Sequence, residues 1–261
     1  MVELESARAS YGLGEIAEAD VLWAQAAAHY QEAAKLDPCY RTLTKAHEFT
    51  HWAGDYATAL KLGEDLVAAA QVEGDHSNLA MAKNDLAITL KALGRLDEAE
   101  GLYRDALAID RVTIGEDHPD YAIHLNNLAA VVEAQGRFDE AEGLYRDALA
   151  IDRATIGEDH PSYATRLNNL AIVVEAQGRF AEAEGLYRDA LAIDRATIGE
   201  DHPDYATDLN NLAGVLVKQD KPEEARPLFE QALSILQDRL PADHPNIAVV
   251  QGHLAALPPS P

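Results

Sequence analysis

The chain reads as an all-α solenoid of stacked helical hairpins, and three observations predict it. The segment Asp97 to Phe138 returns as Asp139 to Phe180, 42 residues later, with only five differences: Val112/Ala154, Asp120/Ser162, Ile123/Thr165, His124/Arg166 and Ala130/Ile172. A third copy begins at Ala181 and drifts after about Asp220. A fixed period of this size means that one supersecondary unit is stacked repeatedly. Each copy also carries two apolar series at helical spacing. Tyr121, Leu125, Leu128, Ala129 and Val132 form the first, and Ala141, Leu144, Tyr145, Ala148 and Leu149 the second. Finally, no alternating β-branched run of useful length occurs, so no sheet is expected.

The breakers set the ends of the helices. Gly136 is suited to end a first helix, and Asp139 and Glu140 lie in the first turn of the second, where the helix dipole favours carboxylates. Ile156-Gly157-Glu158-Asp159-His160-Pro161 closes the hairpin, with Pro161 placed to open the next helix. Tracing this frame outward gives one array over residues 1–257, with units near 5–38, 39–73, 76–115, 118–157, 160–199 and 202–240. The first unit rests on Leu13-Gly14, Ala26, Tyr30, Ala33 and Pro38, and the second, less regular, on Gly54 and Ala59. The sixth replaces the turn glycine by Asp220 and adds Pro222. Ile247, Val250, Leu254 and Leu257 give residues 244–257 a single apolar stripe, as expected of a capping helix on which nothing stacks. Residues 258–261 read as a disordered tail.

Leu128-Ala129, Val132, Gly136, Ala141, Tyr145 and Ala148 stand at the spacing of the packing positions of the tetratricopeptide repeat, which this unit resembles. The 42-residue period, the Asn-Asn-Leu-Ala run and the Asp-His-Pro turn resemble the longer variant of kinesin light chains and many bacterial signalling proteins. The resemblance covers roughly residues 5 to 256 and implies a right-handed superhelix. It further implies that first helices line a concave groove holding peptides or partner proteins.

Composition narrows the function. The net charge is −24, and Asp97 to Phe138 alone holds nine acidic residues against three arginines, so the charge is spread along the array. Nucleic-acid binding needs a basic face and is not expected. A soluble, self-repelling surface is the plainer reading of the charge, and a basic partner steered in by the field the sharper one. No apolar run is long enough to span a bilayer, and the start of the chain lacks a basic leader segment, so a cytoplasmic protein without membrane association is expected. Cys39 is the single cysteine and reads as a packing residue.

Two features invite metal chemistry. His47-Glu48-Phe49-Thr50-His51 matches H-E-x-x-H, in which two histidines one turn apart bind zinc and the glutamate activates water. It lies inside the first helix of unit two with no third ligand evident, so a metallopeptidase is the least favoured reading. His47 also stands where other units have alanine, which predicts a local distortion there. His76, His118, His160, His202 and His244 recur every 42 residues, too far apart for one ion if stacked hairpins lie ~8–10 Å apart. They read as turn and helix-start residues. No metal and no cofactor is expected.

The binding candidates are asparagines. Asn84, Asn126, Asn168 and Asn210 form one ladder, and Asn127, Asn169 and Asn211 the next. At ~100° per residue these flank the face opposite Leu125, Leu128, Ala129 and Val132, a face centred on Ile123, Ala130 and Ala134. Amides there would face solvent and could satisfy the backbone of an extended peptide. Of the five differences between the copies, Ile123/Thr165 and Ala130/Ile172 fall on the centre of this face, Thr207 and Gly214 continue it, and His124/Arg166/Asp208 vary beside it. Glu133 and Glu175 complete the candidate groove. The expectation is therefore a non-enzymatic scaffold for a protein or peptide segment. The alternative is a sensor or oligomerisation arm of a larger signalling protein, with self-association as a further mode.

Overall fold

The computed structural model describes residues 16–36, 38–242 and 244–258. The expected first helix of unit one and the tail beyond Pro258 lie outside these residues. Among the described residues there are twelve α-helices and no strand. The chain forms two compact units, one built from residues 18–151 and the other mainly from 152–258.

The first unit holds α1 (Ile16–Leu36), α2 (Tyr40–Trp52), α3 (Tyr56–Glu73), α4 (His76–Ala92), α5 (Leu96–Thr113) and α6 (Pro119–Ala134), with most of α7 (Phe138–Thr155). Within it α2 to α6 pack consecutively, and the first helices α2, α4 and α6 also touch one another in sequence. The second unit holds α8 (Pro161–Ala176), α9 (Phe180–Thr197), α10 (Pro203–Lys218), α11 (Pro222–Arg239) and α12 (Pro245–Ala256), again packed consecutively. Each unit is thus a stack of antiparallel helical hairpins.

Small residues let the two helices of a hairpin approach. Ala87 on α4 and Ala99 on α5 are fully buried, as are Ala129, Ala141, Ala171, Ala183, Ala213 and Ala225 at the same repeat positions. One ring on each of the second helices α5, α7, α9 and α11 fills the remaining space: Tyr103, Tyr145, Tyr187 and Phe229 are all buried. Burying such a ring contributes on the order of 1.5–3 kcal/mol.

The turn inside a hairpin is a Schellman motif. Gly136 has φ 79°, its N–H donates to the carbonyl of Glu133 (2.7 Å), and the N–H of Arg137 donates to that of Val132 (3.1 Å). Asp220 takes the same left-handed position with φ 62° and keeps both bonds, to Val217 and Leu216.

His118, His160, His202 and His244 cap the first helices. Each Nδ1 accepts the N–H two residues on, at 3.1 Å for Asp120, Ser162 and Asp204 and 3.3 Å for Asn246. His76 departs from this ladder because Asp75 caps α4, accepting from Ser77 and Asn78.

The distortion expected at His47 does not occur, since α2 runs as an unbroken helix through it. Gly63 on α3 stands where α5, α7 and α9 carry tyrosine, and the imidazole occupies that space. A Cβ added at Gly63 would lie 3.3 Å from the His47 ring and 2.9 Å from Leu86 Cδ1.

Candidate functional site

First helices are largely buried: α4, for one, touches its own second helix α5, the preceding second helix α3 and the first helices α2 and α6. On α6 the buried set is Tyr121, Ala122, His124, Leu125, Leu128, Ala129, Val131 and Val132. What remains is a narrow outer stripe. In the first unit it carries Met81 and Ile123, 50% and 44% exposed, with Ile88 and Ala130 half-buried beside them. In the second unit Thr165 and Thr207 are exposed, Ile172 is 39% exposed, and Gly214 is half-buried.

The asparagines do not face solvent. Asn84 is buried, and Asn126, Asn127, Asn168, Asn169, Asn210 and Asn211 are half-buried. They are also linked. In the first unit Asn126 Nδ2 donates to Asn127 Oδ1 (3.4 Å), Asn127 Nδ2 to Asn84 Oδ1 (2.9 Å) and Asn84 Nδ2 to Asp85 Oδ1 (3.2 Å). In the second, Asn210 Nδ2 donates to Asn211 Oδ1 (3.4 Å), Asn211 Nδ2 to Asn168 Oδ1 (3.3 Å) and Asn168 Nδ2 to Asp208 Oδ1 (2.7 Å). His253 of the capping helix joins at Asn210 Oδ1, 2.8 Å away. The amides therefore tie consecutive first helices together.

Glu133 and Glu175 are held by their own hairpins. Glu133 accepts from the Tyr145 hydroxyl (3.1 Å), and Glu175 from the Tyr187 hydroxyl (2.9 Å) and Lys218 Nζ (2.5 Å). Burial raises the Glu133 carboxyl above its usual range and pushes Asp85 up to about 6, the Asn84 amide partly opposing the latter. The charge lies mainly elsewhere: Asp97, Glu98, Asp105, Asp147 and Asp189 are exposed on second helices, and Glu116, Asp117, Glu158 and Asp159 belong to the connecting loops.

His124, Arg166 and Asp208 do not border this stripe. They are 4–5% exposed and lie between hairpins.

The H-E-x-x-H residues are engaged in packing. His47 Nε2 and His51 Nδ1 both meet the Thr89 hydroxyl, at 2.9 and 3.0 Å, and Glu48 pairs with Lys45 (2.6 Å). Burial lowers His47 to about 4 and His51 below its ordinary value, so both are neutral near pH 7. Among the described residues no group of three His, Cys, Asp or Glu is placed to hold a metal ion. The sequence reading missed a cleft of about 800 Å³ between α1 and α3, walled by Ala34, Leu43, Leu62, Ala69 and Val72. No periodic signal marks it.

Fold and surface together define an all-α repeat solenoid of the interaction-scaffold class. Family models described as tetratricopeptide repeat match residues 40–111, 84–154, 120–196 and 167–238, and another matches residues 2–39. The chain belongs to the tetratricopeptide-repeat family. No curated protein matches it in sequence. Among solved structures it is similar to BtubC (BKLC) from P. vanneervenii, with 21% identity, 95% of each chain covered and a TM-score of 0.67. It also resembles the nearly identical TPR-like repeats of a Podosopora anserina protein described as a kinesin light chain, with 27% identity, 75% and 93% coverage and a TM-score of 0.63. A third likeness is the Rap conjugation gene regulator of the plasmid pLS20, solved in complex with the Phr* peptide, with 16% identity, 76% and 53% coverage and a TM-score of 0.63. Among the described residues no helix is long and apolar enough to cross a membrane.

Proposed function

We propose that the chain is a non-enzymatic scaffold whose first-helix stripe receives an extended segment of another protein. One observation carries this reading. The stripe positions Ile123/Thr165/Thr207 and Ala130/Ile172/Gly214, exposed or half-buried, differ between copies that are otherwise nearly identical, while the amides at Asn126, Asn168 and Asn210 do not change. Within each unit, a surface that keeps its amides and varies the side chains beside them suits an extended ligand segment. The exposed apolar members favour apolar side chains on the ligand, and half-buried amides beside them favour its backbone.

The acidic residues outside the stripe would speed the arrival of a basic partner without touching its bound segment. Raising salt should then slow association and leave dissociation nearly unchanged. The test of the surface is a pull-down with wild-type protein, Ile123→Asp and Ile172→Asp, read by mass spectrometry. Proteins retained by the wild type and lost from a variant of unchanged melting temperature support the reading. Retention by both variants rejects it.

A further inference from the structure

One residue near the start of each first helix meets one residue near the end of the preceding second helix, and the pair changes from junction to junction. Ala82 belongs to the same apolar cluster as Ala70. His124 Nδ1 lies 2.5 Å from Asp110 Oδ2, and Arg166 Nη1 lies 2.5 Å from Asp152 Oδ2. At the next junction, inside the second unit, the equivalent residues are Asp194 and Asp208. Two junctions thus bring an acid against a nitrogen base, and the third brings two acids together.

Both carboxyls are buried, Asp194 6% and Asp208 4% exposed, and they lie within hydrogen-bonding reach of each other. Asp208 Oδ1 accepts from Asn168 of α8, whereas no protein donor reaches buried Oδ2. A proton shared between the carboxyls satisfies that oxygen and spares the junction two adjacent buried negative charges. The other groups facing the pair are Asp204 and Tyr205 on the first turns of α10 and His202 at its cap. We infer that docking of the last hairpin and its capping helix, α10 to α12, onto α9 is gated by one proton shared between Asp194 and Asp208, and that losing this proton opens the stack there.

The direction of the gate follows from where the proton is held. Burial, reinforced by Asp194, raises Asp208 from 3.8 to about 8, and burial raises Asp194 as well. The closed junction keeps a proton that the open one releases. Closure is therefore firmest in acid, weakens as pH rises from about 4, and loses its last pH-dependent part near 8. One proton shifts the opening equilibrium by at most ~10-fold per pH unit within that window. The Asp152–Arg166 junction is an internal comparison, because its partners are of opposite charge.

Hydrogen exchange on the full chain from pH 5 to 9, corrected for intrinsic rates, tests this. Opening of residues 203–257 should rise by up to ~10-fold per pH unit from pH 5 to about 8 and then level off. Asp208→Asn keeps a donor toward Asp194, removes one of the two acids and should markedly reduce the slope. Asp208→Arg installs the pair of the preceding junction and should both lower opening and flatten its pH profile. A flat wild-type profile, or an unchanged slope in either variant, overturns the proposal.

Discussion

Hairpins α2–α3 and α6–α7 solve one packing problem in opposite ways. In α6–α7 a small residue on the first helix, Ala129, is matched by a large ring on the second, Tyr145. In α2–α3 the sizes are exchanged: His47 supplies the ring from the first helix, and Gly63 on the second leaves room for it. Volume is kept, but the polar atom moves. The Tyr145 hydroxyl reaches half-buried Glu133, whereas the His47 nitrogen is buried and needs Thr89, which replaces the valine of later units. A motif that spells a zinc site is here the trace of a size exchange, stabilised by one hydroxyl between two imidazoles.

The largest effect should come from breaking the exchange. His47→Ala leaves small residues on both helices and should cost about 2–4 kcal/mol, as large-to-small core changes do. Adding Gly63→Tyr rebuilds the arrangement of the later hairpins and should recover most of that loss. Trp23 and Trp52 are the chain's only tryptophans, and both lie beside Phe49 or His51, so fluorescence melts report on this region. A double variant no more stable than His47→Ala would show that the two positions do not compensate.

Acid should distinguish the hairpins next. His47 is lowered from 6.5 to about 4, so its contribution is complete above about 6.5 and is lost as pH falls toward 4. The linkage is at most about 3 kcal/mol. Tryptophan-detected stability should fall over that window in the wild type and much less in the His47→Ala/Gly63→Tyr protein. Thr89→Val gives α4 the valine of the later first helices but strands His47, at a cost of about 1–3 kcal/mol, read by the same melts. The smallest effect belongs to the amides that α6 has and α2 lacks. Asn127→Ala breaks the link to Asn84 and should cost about 0.5–1.5 kcal/mol in denaturant titrations. An unchanged midpoint would mean that the bond adds nothing to stacking.

The fold was legible because period, breakers and helical spacing all agree, and from α4 onward the hairpin starts and turns fall where a Gly, Asp or His-Pro pair marks them. The site was legible only in part. A helical wheel drawn from Leu125, Leu128, Ala129 and Val132 makes the core face too narrow, because it allows for one neighbour where a first helix has several. Hence Asn84 and His124 looked peripheral and are buried. The exchange of His47 with Gly63 was readable in principle, since both depart from their repeat columns. Counting from Gly54 puts His47 in the alanine column and Gly63 in the tyrosine column, but only the contact between them shows that one change answers the other.

The amide chain also bears on how such an array grows. Each first helix of the type seen in α6 and α10 carries one amide that gives a hydrogen bond to the preceding first helix and another able to receive one from the next. A tandem duplication of 42 residues therefore inserts a donor and an acceptor together, and no buried amide is orphaned on either side of the insertion. Recombination can lengthen or shorten the array by whole repeats at little thermodynamic cost, and the near-identity of Asp97–Phe138 and Asp139–Phe180 is the kind of sequence such events leave behind.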